Sequence, residues 1–249
     1  MAAVVAVERV RTPWTTSELL AAYADAWRAV VLGEPSRAAL AVLWGQATLE
    51  CGRGGRACYC HNVGNVRAGE LEPHCLLPGA YEFAAPGQVP PGATIIPTPA
   101  GAAQPPGTVC YLPPAKAQRF RAYSSLAEGC AGKLGLVARR WPRALDALRG
   151  ATGAEAARGY VMGLLVPPAY MTGDAGQYLA SVWSLASECL RGPEEQWPRD
   201  AAGDATGDAT GDAEQDLGRR DTLPSPVEVP QAVDFVASLA DSGPSEESS

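Results

Sequence analysis

The chain has 249 residues, of which 47% are hydrophobic, and its formal net charge is −7. This length suits one good-sized domain with an appendage, or two small domains. The acidic charge is concentrated at one end, because residues 193–249 hold 14 acidic and 3 basic side chains, whereas residues 1–192 hold 13 acidic and 17 basic ones. A body this mildly basic argues against nucleic acid as a partner and suits an anionic polymer such as the bacterial cell wall.

The first ten residues are apolar over only a short stretch and lack the basic region and long apolar core of a signal peptide, so none is expected. No apolar run approaches the ~20 residues that span a bilayer, so no membrane span is expected either. If the cell wall is the partner, the chain needs another route to it. Release through a phage holin or mounting on a phage particle would supply one, and a cytoplasmic location is the alternative.

Two helices are predicted near the start of the chain. Thr15 and Glu18 have the spacing of a capping box, which predicts that a helix begins there, and Gly33 is a typical end for it. Pro35 is expected to start the second helix, which runs to about residue 51. This second helix is apolar on nearly every side, as is typical of the buried centre of a domain.

The second helix carries one carboxylate in this apolar setting. Gln46 and Glu50 are four residues apart, so they share a face and form its main polar groups. A poorly solvated carboxylate has a raised pKa and can deliver a proton near neutral pH, as the general acid of a glycosidase does. We therefore predict that Glu50 is functional, with an unseen structural salt bridge as the alternative.

Residues 52–119 are rich in Gly and Pro and predict a loop-and-hairpin lobe beside the helical core. Short strands are expected near 80–83, 94–96 and 108–112. The prolines of residues 86–106 indicate a long exposed excursion between two of them.

The chain has seven cysteines, and both of its histidines lie near three of them. Three states are open for this group: a structural zinc site, a disulfide, or unlinked thiols. The spacing is not that of a zinc ribbon, and no other cofactor is indicated. The candidate ligands are Cys58, Cys60, His61, His74 and Cys75.

Four more helices are predicted after the lobe. Ser125 and Thr152 each stand three residues before a glutamate, which predicts capping boxes, and a short helix over 144–149 lies between them. Asp174 is expected to begin a last amphipathic helix that ends near residue 190.

The remaining sequence predicts an appendage. Residues 193–226 form an acidic low-complexity linker containing a four-residue repeat, and residues 227–249 form a tail. Residues 230–239 have enough apolar side chains for a short helix. The helix is either transient within a disordered tail or a docking peptide for a protein partner.

Four segments, in order, resemble the glucosaminidase branch of the lysozyme superfamily, glycoside hydrolase family 73. Residues 47–54 are similar to its A-x-x-E-S/T-G-W-G segment, and residues 62–68 resemble N-x-x-x-I-K-A. Residues 120–125 are similar to F-R-x-Y-x-S, and residues 170–178 resemble Y-A-T-D-x-x-Y.

The resemblance implies an α+β, mainly α, lysozyme-like fold over residues 12–192, behind an N-terminal arm of residues 1–11. It implies cleavage of the glycan strands of bacterial peptidoglycan with Glu50 as the general acid. Glu82 is the best match to a second carboxylate of the family, with Glu70 and Glu72 as fallbacks. Further implied site residues are Asn65, Tyr123 and Tyr170.

Each of these residues also has a purely structural interpretation. Glu82 fits a solvated strand carboxylate, Asn65 a turn residue, and the two tyrosines ordinary core-edge residues. Arg53 replaces an aromatic residue of the family pattern, which puts the substrate preference in question. A lytic transglycosylase, a non-catalytic wall-binding or structural module, and a metal-stabilised interaction protein remain the alternatives.

Overall fold

The computed structural model describes residues 6–69, 72–76, 81–99, 104–114, 119–150, 152–166, 170 and 174–199. Over these residues the chain is mainly helical, with small antiparallel sheets, as the predicted α+β class requires. The helices are α1 (Thr16–Val30), α2 (Arg37–Cys51), α3 (Leu126–Arg140), α4 (Pro142–Gly150), α5 (Gly153–Leu164) and α6 (Ala175–Leu190). The strands are β1 (His74–Leu76), β2 (Glu82–Ala84), β3 (Thr94–Ile95), β4 (Val109–Leu112) and β5 (Arg119–Arg121).

The first two helices begin at side-chain caps. Thr15 and Glu18 form the predicted capping box, in which each side chain binds the other residue's backbone N–H. Helix α2 begins at Arg37, two residues later than a proline start would require, because Ser36 Oγ accepts the backbone N–H of Ala39 at 3.1 Å. Pro35 therefore precedes the cap and is not the first helical residue.

Helix α2 lies at the centre of the domain, and nearly all of its residues are buried. Helix α6 crosses it at Gly45, where a Cβ atom would lie 2.8 Å from the carbonyl oxygen of Val182. Leu40 and Leu43 are fully buried, and each such side chain contributes about 1.5–3 kcal/mol to stability. This packing holds Glu50, the penultimate residue of α2, in a fixed place.

The loop-and-hairpin lobe contains two small sheets. Strands β1 and β5 pair antiparallel, with Cys75 opposite Phe120, and the second sheet has the order β2-β4-β3, with Glu82 opposite Tyr111. The three predicted strand positions correspond to β2, β3 and β4. The sequence did not predict β1 and β5, which pair with each other across more than 40 positions of the chain.

The segment expected to be an N-terminal arm is joined to this lobe from Ala6 onward. The backbone N–H of Val7 donates to His74 O at 2.9 Å, and that of Cys60 donates to Val10 O at 2.8 Å. At the other end, Trp197 is buried beneath the guanidinium of Arg37, 5.4 Å from its ring. The packed domain thus includes residues on both sides of the predicted limits.

The later helices follow the predicted order but differ in their caps. Ser125 Oγ accepts the backbone N–H of Glu128, whose carboxylate binds Ser124 instead of closing a box on Ser125. Thr152 precedes α5 but makes no side-chain cap bond, so the predicted box is wrong there. Asp174 caps α6 as expected.

None of the helices in the described part of the chain is both long and apolar enough to cross a lipid bilayer. Two of the predicted parts lie outside the described residues. They are the low-complexity repeat and the tail of residues 227–249, including the helix predicted at 230–239.

Candidate functional site

Glu50 is buried at the end of α2, with 2% of its surface exposed. Two neutral groups donate hydrogen bonds to its carboxylate. The Tyr178 hydroxyl of α6 lies 3.1 Å from Oε1, and Asn65 Nδ2 lies 3.1 Å from Oε2. Asn65 is half-buried whereas Tyr178 is fully buried, so the carboxylate is closest to the surface on its Asn65 side.

The loop after α2 brings Asn65 back to the helix that it leaves. Gly52 turns the chain with φ +71°, in the left-handed region that favours glycine. Asn62 then closes a tight turn, accepting from Val66 N at 2.7 Å and donating to Val66 O at 2.8 Å. It also donates to Arg121 O at 2.9 Å, which fastens the turn to β5.

Asn65 itself has φ +50°, a conformation that asparagine tolerates better than most residues. Its structural interpretation as a turn residue is therefore correct. Its side chain nevertheless donates to Glu50, so its place in a turn does not exclude a role at the site.

Behind Glu50 lies a chain of buried hydrogen bonds. Tyr160 OH donates to Gln46 Oε1 at 2.6 Å, and Gln46 Nε2 donates to Tyr178 OH at 2.9 Å. Tyr178 OH in turn donates to Glu50. Because each donor and acceptor has a defined partner, the chain fixes the direction in which the Tyr178 proton points.

A buried cation completes the site. Lys133 of α3 is 1% exposed, and its ammonium donates to the Tyr170 hydroxyl and lies 3.8 Å from the centroid of that ring. The Tyr170 hydroxyl donates to Gly64 O at 3.3 Å, and its ring packs edge-on against Trp141. Tyr170 thus connects α3 to the loop that carries Asn65.

These surroundings perturb the acidity of both charged groups. Burial raises the pKa of Glu50 above its ordinary value, against the opposing effects of the Lys133 charge and of the hydrogen bonds from Tyr178 and Asn65. Burial likewise lowers the pKa of Lys133 to about 8, although the Glu50 charge raises it. The Glu50 carboxyl can therefore hold a proton at a higher pH than an exposed glutamate, with donors ready for the carboxylate that remains.

Glu82 belongs to a different cluster. Its Oε1 accepts from Arg67 Nη2 at 2.5 Å, and its Oε2 accepts from Tyr111 OH at 2.7 Å. The guanidinium of Arg67 also lies 4.7 Å from the centroid of the Phe120 ring. Glu82 is 8% exposed, so it is not a solvated strand carboxylate, and both of its oxygens are engaged in tying β2 to β4 and to the loop.

The fallback carboxylates have equally local contacts or lie outside the described residues. Glu72 accepts from Gly69 N at 2.9 Å and pairs with Arg121 at 3.2 Å. Glu70 is outside the described residues.

Tyr123 and Arg53 lie in contacts that do not include Glu50. The Tyr123 ring faces the guanidinium of Arg121 at 5.4 Å, and its hydroxyl covers Gly132 of α3. Arg53, which replaces the family's aromatic residue, forms an exposed two-bond ion pair with Glu188 of α6. The structure therefore brings Asn65 and Tyr170 to Glu50, and gives Tyr123 a packing role.

The cysteines among the candidate zinc ligands lie in two separate hydrophobic clusters. Cys58 packs in the main core, where its thiol contacts that of Cys51. Cys60 and Cys75 pack against Phe120 in a second small cluster. Over the described residues no three His, Cys, Asp or Glu side chains are arranged to hold a metal ion, and all seven cysteines are free thiols.

Sequence reasoning did not identify two of the groups nearest Glu50. Tyr178 is the last residue of the fourth family-like segment and lies four residues after Asp174, where the last helix begins. This position in the segment could have identified it as a candidate site residue. Lys133 falls on the buried stripe of α3 between Cys130 and Val137, which are both fully buried. A lysine on an apolar stripe was the signal, because such a residue is almost never buried without a partner.

Comparison of the chain with protein-family models, with curated proteins and with solved structures finds no match in any of the three.

Proposed function

We propose that the protein cleaves the β-1,4 glycosidic bonds of bacterial peptidoglycan, with Glu50 as the general acid and a lysozyme-like fold around it. Glu50 gives its proton to the bridging oxygen as the bond from that oxygen to the sugar carbon breaks. The electron pair of the broken bond stays on the leaving oxygen, and a water molecule completes the hydrolysis.

The observation that carries the proposal is the setting of Glu50. A carboxyl group that is buried, raised in pKa and held by Tyr178 and Asn65 has the properties of a glycosidase acid. Asn65, on the more exposed side, is placed to contact a sugar next to the cleaved bond. The four ordered family-like segments support the same substrate class.

The contacts of Glu82 favour a mechanism without a second free carboxylate. Because Arg67 and Tyr111 occupy both of its oxygens, Glu82 has limited capacity to activate water. A route in which the substrate's own N-acetyl group attacks requires no such carboxylate. The same observation favours a lytic transglycosylase as the second candidate, since that enzyme also relies on a single acid.

The test is digestion of purified peptidoglycan, with the soluble fragments identified by mass spectrometry. The wild type is compared with Glu50→Gln, which removes the acidic proton and keeps the shape of the side chain. Glu155→Gln is the matched control, because it makes the same chemical change at an exposed helical position. We expect Glu50→Gln to lose on the order of 10²–10⁴ in rate and Glu155→Gln to match the wild type.

The products decide between the candidates. Fragments with new reducing ends support hydrolysis, whereas anhydro-sugar ends identify a transglycosylase. Equal release by the wild type and Glu50→Gln would show that the acid is elsewhere. Sedimentation with peptidoglycan but no release by either protein would replace the enzyme with a wall-binding module.

The route to the cell wall is part of the proposal. We propose that delivery on a phage particle or through a holin brings the protein to the cell wall.

A further inference from the structure

Lys133 is a charged residue that is almost completely buried, with 1% of its surface exposed. Its side chain extends from α3 beneath the Asn65 loop, and a Cβ atom at Gly64 would collide with its methylene groups. Its ammonium ends on the Tyr170 hydroxyl and ring. The loop backbone therefore packs directly on the lysine, which is part of the wall of the site.

A buried ammonium is strongly unfavourable unless an opposite charge compensates it. Glu50 is the carboxylate whose charge acts on Lys133. The two are joined through the loop, because Lys133 donates to the Tyr170 hydroxyl, which donates to Gly64 O, and the next residue, Asn65, donates to Glu50. The interaction is mutual, because each charge favours the charged form of the other group.

We propose that Lys133 is a positioning residue that stabilises the Glu50 carboxylate left behind when the acid has given its proton to the leaving oxygen. This inference rests on the proposed function for its chemical consequence, although the charge pair itself exists without it. Proton transfer would otherwise create an uncompensated buried anion. The ammonium, already in place through Tyr170, lowers the energy of that anion in the transition state without touching the substrate.

The groups facing Glu50 come from four parts of the chain. Helix α6 supplies Tyr178, the loop supplies Asn65, and Tyr170 approaches from beyond α5. Cys51 is its neighbour in α2, and the Tyr160 hydroxyl lies one further hydrogen bond away. Over the described residues Lys133 is the cation whose charge acts on Glu50, so removing it has no substitute nearby.

The first test measures the charge pair and requires no enzymatic activity. The chain contains two lysines, Lys116 and Lys133, so NMR of protein labelled with ¹³C at lysine Cε gives two titrating signals, assigned with Lys116→Arg. We expect Lys133 to titrate near pH 8 in the wild type and roughly one to three pH units lower in Glu50→Gln. Glu155→Gln should leave the curve unchanged.

An unchanged Lys133 titration in Glu50→Gln would overturn the inference, whatever the protein does to peptidoglycan. If the wild type proves inactive while the titration shifts, the charge pair stands and the proposed function fails. The two failures are thereby separated.

The second test measures the consequence for catalysis. Lys133→Met keeps the length and apolar stem of the side chain and removes its charge. We expect the alkaline limb of the kcat/KM profile to move up by about one pH unit and kcat at the optimum to fall about tenfold or more. Leu134→Met, a conservative change at the neighbouring buried position, is the control for altered packing.

A Lys133→Met profile that coincides with that of the wild type would contradict the positioning role. If Lys133→Met does not fold, the lysine titration alone tests the inference. Its variant, Glu50→Gln, keeps Lys133 in place and preserves the size of the side chain at position 50.

Discussion

The acidity of Glu50 is decided by a small number of atoms. Burial disfavours the carboxylate, whereas the Lys133 charge and the hydrogen bonds from Tyr178 and Asn65 favour it. The Tyr178 hydroxyl is itself held in place, because it accepts a hydrogen bond from Gln46 Nε2. The balance can be altered at single residues without changing the acid itself.

Tyr178→Phe should raise the pKa of Glu50, because it removes a donor that lowers it. A general acid with a higher pKa stays protonated to a higher pH, so the alkaline limb of the kcat/KM profile should move up by roughly one pH unit. The change also leaves the Gln46 amide without an acceptor and costs about 1–3 kcal/mol in unfolding free energy. The measurements are the pH–rate profile on peptidoglycan and denaturant unfolding.

Tyr160→Phe is the control, because it disturbs the same glutamine and leaves the bond from Tyr178 to Glu50 in place. A shift as large in Tyr160→Phe as in Tyr178→Phe would show that packing, and not the direct hydrogen bond, sets the pKa of Glu50.

At the residue scale, the sequence predicted the poorly solvated carboxylate of Glu50 and two residues that lie near it. Glu50 could be identified because a carboxylate in an apolar helix is conspicuous, and Asn65 and Tyr170 followed from the resemblance. Lys133 could not be paired with Glu50 from sequence. The two are 83 positions apart on helices whose relative packing depends on the whole core.

Among the elements, α3 is unusual in its glycines, because Gly129 and Gly132 face the parts of the lobe that pack on it. A Cβ atom at Gly129 would collide with the carbonyl oxygen of His61, and one at Gly132 would collide with the hydroxyl of Tyr123. Gly135, two turns from Gly129, has only the end of the Arg139 side chain nearby, at 3.5 Å. These glycines lower the intrinsic helix propensity of α3, but they allow the loop to pack directly against its backbone.

Gly129→Ala should destabilise the protein by about 1–3 kcal/mol, because the His61 backbone must move to admit the methyl group. Gly135→Ala makes the same change in the same helix at a position with room, and should stabilise by about 0.5–1 kcal/mol. Denaturant unfolding of the two variants and the wild type measures the difference. Equal effects of the two changes would mean that helix propensity alone decides, and that the loop does not rest on α3.

The elements were predictable where a side chain caps a helix. Thr15, Ser125 and Asp174 each precede the helix expected of them. Thr152 failed as a capping side chain although its helix exists, which shows that the spacing of a capping box does not guarantee its hydrogen bonds. Strands β1 and β5 escaped prediction because their pairing partners are more than 40 positions apart.

For the molecule as a whole, its seven cysteines were the least determined feature of the sequence. All are buried as free thiols in the structure. Burial raises the pKa of Cys189 to about 12, and burial together with contact with Cys60 does the same for Cys75. These two thiols are therefore scarcely present as thiolates, the reactive form, whereas a hydrogen bond with Cys51 lowers the pKa of Cys58.

We expect the native protein, first reduced and freed of reductant, to react slowly with a chromogenic aromatic disulfide at neutral pH. After unfolding in guanidinium chloride, all seven thiols should react at once. Rapid reaction of the folded chain would contradict the burial of these side chains. Fewer than seven thiols in unfolded protein that was never reduced would reveal a disulfide formed in the preparation.

The site around Glu50 is assembled from residues far apart in the order of synthesis. Asn65 follows Glu50 by 15 positions, whereas Tyr178 follows it by 128. While a ribosome is still making α6, Glu50 therefore lacks both its last donor and the helix that covers α2. A nascent chain in that state holds an ordinary, hydrated glutamate, so translation itself withholds the acid that we propose until nearly the whole domain has emerged.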